Sequence, residues 1–126
     1  MKRATSPWVR KAEADFRVSQ EIARSTEPFH DSVCFHCQQS AEKYLKALLV
    51  ELGIPSPRTH DLDRLLMALV PTHPQLQALR RGLLFLTEFA VEARYPGLNT
   101  SKRQATSALR WAERVRQAVR SLLGLP

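Results

Sequence analysis

A line of polar side chains borders an apolar stripe in the second predicted helix. Gln38, Glu42 and Lys46 follow one another at four-residue spacing, which places them above one another on one side of a helix. Polar groups at the edge of a core need hydrogen-bond partners. One interpretation is that these side chains bond across a helix interface, with Glu42 and Lys46 forming a favourable i, i+4 pair. The other is that Lys43 and Lys46 face a phosphate group.

A histidine and an aspartate, His60 and Asp61, follow a proline-containing loop. A carboxylate beside an imidazole sets its tautomer and raises its basicity, so the two residues are candidates for acid–base chemistry. Asp61 could equally begin a helix, because the positive end of the helix dipole favours a carboxylate there. The local sequence favours the helix start.

Arginine and aromatic groups are concentrated towards the end of the chain. Arg94 and Tyr95 offer a guanidinium and a ring suited to anion binding and stacking, although a tyrosine before a proline could equally close the end of a bundle. In the last predicted helix, Arg103, Arg110 and Arg114 lie opposite the apolar face, with Lys102 and Arg120 flanking them. These arginines are predicted phosphate contacts.

The charge distribution supports an acidic partner. Nineteen basic and twelve acidic residues give a net charge of 19 − 12 = +7, and residues 101–126 alone carry six basic and one acidic residue, 6 − 1 = +5. Clustered arginine favours a nucleic acid, a nucleotide or an acidic protein surface. A solvated arginine-rich surface is the alternative.

The two cysteines give only weak evidence for a functional site. Cys34 and Cys37 share a helix face with His30, which could form part of a zinc site, but C-x-x-C zinc ligands usually occur in knuckles rather than on an uninterrupted helix. We therefore predict no metal and no other cofactor, with both cysteines as small buried residues. Two cysteines also cannot form a disulfide framework, which suggests a reducing, cytoplasmic location.

The elements that must position these groups are helices. No segment shows strand alternation, whereas apolar residues recur at helical spacing in four or five stretches. The length of 126 residues predicts one domain, residues 1–126. We expect an all-α antiparallel bundle of four to five helices with no membrane span. The predicted boundaries are Ser6 as N-cap to Arg24; Asp31 as cap to Leu52, followed by Gly53; Thr59 or Asp61 as cap to Leu69; Pro74 to Glu92; and Ser101, in a capping box with Gln104, to Leu123.

Four segments taken together resemble a HEPN domain, and the match covers nearly the whole chain. They are Trp8 with residues 11–15, the Phe35–Ala47 segment containing Gln38, Gln39, Glu42, Lys43 and Lys46, the run Thr59-His60-Asp61-Leu62, and Ala93-Arg94-Tyr95-Pro96. The resemblance implies a helical bundle similar to nucleotidyltransferase substrate-binding domains, usually a homodimer. It also implies a separate small nucleotidyltransferase as partner, often in a toxin–antitoxin pair.

Many HEPN proteins are metal-independent ribonucleases whose motif is an arginine followed four to six residues later by a histidine. Arg94 occupies the expected region, but no histidine follows His73 in this sequence. Arg24 and His30 have suitable spacing but lie elsewhere in the fold. The loss of an imidazole would cost a factor on the order of 10²–10⁴ in rate, so we predict no catalytic residues.

The function expected from these observations is a non-catalytic HEPN subunit that binds a nucleotide or RNA. The residues expected to line a nucleotide site or a partner interface are Gln39, Glu42, Lys43, Lys46, His60, Asp61, Arg94 and Tyr95. A ribonuclease toxin that uses Arg94 with His36, His60 or Tyr95 as a substitute acid or base is one alternative. An adaptor bundle without a ligand is the other.

Overall fold

The structure is a computed structural model of the chain, and it describes residues 1–90, 96 and 99–126. The predicted site residues Arg94 and Tyr95, and the predicted helix end at Glu92, lie outside the described residues. The elements are α1 (Ser6–Arg24), α2 (His30–Leu52), α3 (Leu62–Leu69), a 3-10 helix (Pro74–Leu79), α4 (Arg80–Thr87) and α5 (Lys102–Leu122).

Helix α2 lies at the centre of the bundle. It packs against α1, α3, α4 and α5, and its buried side chains, from Val33 to Leu49, cover more than half of its circumference. Helix α1 runs antiparallel to α2. The contact that shows this orientation is at Glu51, at the end of α2, which accepts hydrogen bonds from the Lys2 amide and the Thr5 hydroxyl before the start of α1. The prediction of an all-α helical bundle is confirmed. None of the helices in the described ranges is long and apolar enough to cross a membrane.

Three predicted helix-end signals are confirmed. Gly53 follows α2 in the left-handed region with φ of 69°, where a residue without a side chain is favoured. The Asp61 carboxylate accepts a hydrogen bond from the Asp63 amide at 3.0 Å, so Asp61 caps α3. Ser101 and Gln104 form the complete capping box at the start of α5.

Two predicted N-caps are wrong. Thr5 is the N-cap of α1 and Ser6 is its first helical residue; the Thr5 hydroxyl bonds to the Glu51 carboxylate instead of capping. The N-cap of α2 is Phe29, and Asp31 lies in the first turn. There Asp31 accepts a hydrogen bond from the Thr100 amide at 2.9 Å, which ties the start of α2 to the segment before α5.

The predicted fourth helix is divided. Residues 74–79 form a 3-10 helix and α4 begins at Arg80. The α-helical region ends at Thr87, after which Glu88, Phe89 and Ala90 form turns with i to i−3 hydrogen bonds. The Thr87 hydroxyl donates to the Leu83 carbonyl and accepts from the Leu62 amide, so this side chain joins the end of α4 to the start of α3.

Helices α4 and α5 approach closely at Gly82. A Cβ atom at this position would lie 2.1 Å from the Trp111 ring, well inside van der Waals contact. The indole therefore occupies the space that any side chain at position 82 would need. Gly82 thus sets the spacing between the two helices.

Candidate functional site

The Glu42 carboxylate is the centre of a polar network on α2. Its side chain is only 6% exposed, and Lys46 Nζ lies 2.9 Å from Oε2. Gln38 Nε2 donates to Oε1 at 3.1 Å, and His60 Nδ1 lies 2.9 Å from the same oxygen. The polar line Gln38-Glu42-Lys46 is therefore a hydrogen-bonded cluster that reaches from α2 to the loop before α3.

This cluster keeps Glu42 ionised. Burial alone would raise the pKa of the Glu42 carboxyl, but hydrogen bonds from Lys46, His60 and Gln38 hold that pKa below its ordinary value. An ionised carboxylate can only accept hydrogen bonds, so His60 Nδ1 carries the proton between them. The His60 side chain is 67% exposed, which leaves Nε2 available at the surface as an acceptor when the ring is neutral.

The neighbours of this cluster extend it along α2. Gln39 Nε2 donates to Gln38 Oε1 at 2.7 Å, and Gln38 Nε2 also donates to the His60 carbonyl at 3.3 Å. Lys46 Nζ lies 5.8 Å from the centre of the Trp8 ring, within the range of a cation–π interaction. Four predicted site residues, Gln39, Glu42, Lys46 and His60, thus lie together.

Asp61 does not join them through its side chain. It caps α3, so the helix-start interpretation is the one the structure shows, and the carboxylate that orients His60 belongs to Glu42 instead. The sequence contained a signal for this pairing, because a glutamate in a polar line beside a core needs an additional partner.

Lys43 belongs to a different cluster, between α1 and α2. Its Nζ donates to Asp15 Oδ2, and His36 Nδ1 lies 2.9 Å from Asp15 Oδ1. All three side chains are mostly buried. Lys43 and Lys46 therefore bind different carboxylates and do not converge on one point.

A third network, which the sequence analysis missed, joins α1, α2 and α5. Arg116 binds the Glu13 carboxylate with two hydrogen bonds of 2.7 and 3.0 Å, a bidentate geometry. The Tyr44 hydroxyl donates to Glu13 and accepts from Arg120 at 3.2 Å. Local sequence carries no signal for contacts between residues 13 and 116, because only the packed helices bring them together.

The ionisation of this network is strongly perturbed. The hydrogen bond from Arg116 is the main reason that the pKa of Glu13 falls to about 2, against the opposing effect of burial and with further help from Tyr44. Burial raises the pKa of Tyr44 to about 12, and its bond to Glu13 adds to the rise. Glu13 is therefore an anion and Tyr44 is neutral at ordinary pH.

The predicted arginines of α5 lie on its outer face. Arg103, Arg110 and Arg114 are exposed, and within the described ranges neither Arg103 nor Arg110 has a carboxylate partner. The Arg114 guanidinium lies 4.8 Å from the centre of the Trp111 ring. Arg120, which was expected to flank them, is only 18% exposed and bonds to Tyr44 and to the Pro126 carbonyl; its inclusion in the exposed stripe is wrong.

Cys34 and Cys37 are buried in the core side of α2. Burial raises the pKa of each thiol to about 12. In the part of the chain that the structure describes, no group of three or more His, Cys, Asp or Glu side chains is arranged to hold a metal ion.

Comparison with known proteins decides the family. The family model described as the HEPN domain matches residues 5–122, which is nearly the whole chain. This chain belongs to the HEPN family. No curated protein matches it significantly.

Two solved structures resemble this HEPN protein along almost their full length. The crystal structure of ST0689, an archaeal HEPN homologue, is 27% identical with a TM-score of 0.78, covering 97% of this chain and 98% of that one. The crystal structure of TT1696 from Thermus thermophilus is 21% identical with the same TM-score, covering 95% and 98%. The second likeness concerns the fold alone.

Proposed function

We propose that this HEPN protein is a non-catalytic cytoplasmic subunit that binds a nucleotide or RNA. It acts as a homodimer and pairs with a small nucleotidyltransferase, as in a toxin–antitoxin system. The observation that supports binding is the row of exposed arginines on α5, Arg103, Arg110 and Arg114. Their positions on one outer face make them available to phosphate groups.

The contrast with the other arginines of α5 strengthens this proposal. Arg116 and Arg120 are mostly buried and bonded to Glu13 and Tyr44, so they hold the bundle together. Arg103 and Arg110 form no ion pair with a carboxylate within the described ranges, so a phosphate would not have to displace one. The Arg114 guanidinium lies over the Trp111 ring, and among the described residues no acceptor bonds to its N–H groups, which can therefore bind an anion.

Phosphate binding is tested by the salt dependence of affinity for a short single-stranded RNA. Removal of one phosphate contact should reduce the slope of log K against log salt by about 0.7. We expect Arg103→Ala to weaken binding and to reduce this slope by about 0.7, the value for one phosphate contact. Arg81→Ala removes one exposed arginine from α4 and serves as the matched control. Equal effects of the two variants would contradict a site on α5 and leave only a general charge effect.

Pairing with a nucleotidyltransferase rests on the family resemblance and needs its own test. The tagged chain is recovered from extract of its native organism, and stoichiometric partners are identified by mass spectrometry. Recovery of a small nucleotidyltransferase supports the pairing. Recovery of the chain alone, with a tag that is accessible for capture, contradicts the pairing.

A second candidate function is ribonuclease activity with His60 as the base, and the Glu42–His60 contact favours it. His60 Nε2 would take the proton of a ribose 2′-hydroxyl, whose oxygen attacks phosphorus while the 5′-oxygen leaves and takes a proton from water. Metal-free cleavage of RNA that disappears in His60→Ala but not in His73→Ala would support this function. Absence of cleavage by the folded dimer would contradict it.

A further inference from the structure

A groove separates α1 from α5 on the surface of the bundle. Both helices pack against α2 and touch each other much less, so their facing side chains leave a space of about 360 Å³. This volume is at the small end of the range for ligand pockets. Its lining is mostly apolar, with Phe16 and Ala23 from α1 and Leu109 from α5.

Two arginines stand at one end of this groove, Arg24 from α1 and Arg110 from α5. Arg110 has no carboxylate partner within the described ranges. Arg24 lies 3.1 Å from Glu21, but these side chains are 71% and 77% exposed, and such surface pairs contribute little. A phosphate could therefore replace Glu21 as the partner of Arg24 at small cost.

The acidic groups near the groove do not cancel this charge. Glu13, about one turn before Phe16 on α1, is already bound by Arg116. Glu113 lines the groove beside Arg110; its Oε1 accepts a hydrogen bond from Gln117 Nε2 at 2.9 Å and lies 3.8 Å from Arg116 Nη1. Its carboxylate has further acceptor positions, so it can receive N–H groups from a ligand that lies on the apolar lining.

We propose that the groove between α1 and α5 binds a guanine nucleotide. The flat base lies on the partly exposed side chains of Ala23 and Leu109, the phosphate contacts Arg24 and Arg110, and Glu113 accepts hydrogen bonds from the base. Guanine presents two adjacent donors, N1–H and N2–H, to one carboxylate, whereas adenine presents only its amino group. This inference rests on the proposed nucleotide binding and names its location and base preference.

The test is titration calorimetry of the purified chain with GMP, AMP and guanosine. Gln20→Trp fills the groove from α1, where Gln20 is partly exposed and lines the space. Gln75→Trp places the same residue on an exposed position of the 3-10 helix and is its control. Arg110→Ala removes a phosphate contact, with Arg81→Ala as its control. Circular dichroism confirms that each variant is folded.

The expected result is that Gln20→Trp and Arg110→Ala each weaken GMP binding at least tenfold, while both controls change it less than twofold. Guanosine should bind more weakly than GMP, and Glu113→Gln should reduce the preference for GMP over AMP. If Gln20→Trp does not fold, Arg110→Ala still tests the groove site, because Arg110 is exposed and its replacement should not disturb the fold.

Other results separate this inference from the broader proposal. RNA binding that Arg103→Ala weakens, together with GMP binding that is absent or unaffected by the groove variants, overturns the groove site and leaves the proposed function standing. Failure of wild type to bind any nucleotide or RNA overturns both. Tighter binding of AMP than GMP overturns the guanine assignment.

Discussion

His60 Nδ1 lies 2.9 Å from Glu42 Oε1 and so joins an exposed ring in the loop before α3 to a buried carboxylate on α2. The carboxylate bonded to His60 is therefore not the one next to it in the sequence. Asp61, the carboxylate next to His60, is used to cap α3. The contact fixes which nitrogen of His60 faces outward.

The tautomer of His60 is the first prediction. Because Glu42 remains ionised, neutral His60 should carry its proton on Nδ1 and leave Nε2 unprotonated. Nitrogen NMR of the labelled protein distinguishes the two tautomers directly. In Glu42→Gln this preference should weaken, since the amide can donate as well as accept. Protonation of Nε2 in the wild type would contradict the arrangement described.

Glu13 should make the protein sensitive to acid. Its folded-state pKa of about 2 lies below the ordinary value of 4.5, so its contribution to stability is complete above pH 4.5 and is lost as the pH falls towards 2. Urea unfolding at several pH values between 6 and 2 should show this loss. The low pKa of Glu42 acts in the same direction, so some acid sensitivity should persist in Glu13→Gln.

The control for this prediction is Glu21→Gln. Glu21 pairs with Arg24 on the exposed side of α1, and its removal should leave the pH dependence unchanged. If Glu13→Gln and Glu21→Gln reduced the pH dependence of the free energy of unfolding equally, the Glu13–Arg116 pair would not be the cause of that dependence.

Gly82→Ala should destabilise the protein. The added methyl group would overlap the Trp111 ring, and overpacking of this kind costs about 1–3 kcal/mol. When Trp111 is first replaced by alanine, Gly82→Ala should instead stabilise the protein. Without the clash, alanine favours the helical conformation of α4 over glycine by up to about 1 kcal/mol. Urea unfolding of the four proteins in this double-mutant cycle measures both effects. Destabilisation in both backgrounds would contradict a clash with Trp111.

Cys34 and Cys37 should be inert in the folded protein. Both are buried, and a pKa of about 12 leaves almost no thiolate at pH 8. We expect a thiol reagent such as Ellman's reagent to label neither residue until denaturant is added, when both react within minutes. Rapid labelling under native conditions would show that this part of α2 opens to solvent.

Sequence patterns predicted the helices well where the signals are local. Gly53, Asp61 and the pair Ser101 and Gln104 act at helix ends through atoms at most a few residues away. The predicted N-cap of α1 is wrong by one residue: Thr5 occupies that position without a side-chain cap, and its hydroxyl bonds to Glu51, 46 residues away. The Thr87 hydroxyl at the end of α4 likewise bonds to a residue distant in sequence, since it accepts from the Leu62 amide.

The candidate site was predicted in part for the same reason. The line Gln38, Glu42 and Lys46 follows from helical spacing, and the Glu42–Lys46 ion pair belongs to one of the two interpretations that this spacing allows. The attachment of His60 to Glu42, and of Glu13 to Arg116, depends on how helices far apart in sequence pack. Helical periodicity says which face is buried but not which residue of another helix meets it.

The central position of α2 determines which parts of the chain can open independently. A helix covered by α1, α3, α4 and α5 cannot expose its amide groups unless several neighbours leave together. Hydrogen exchange of the amides in the middle of α2 should therefore require global unfolding, while the ends of α1 and α5 exchange through local fraying. The free energy measured by exchange at Leu45 would then equal the stability of the whole domain.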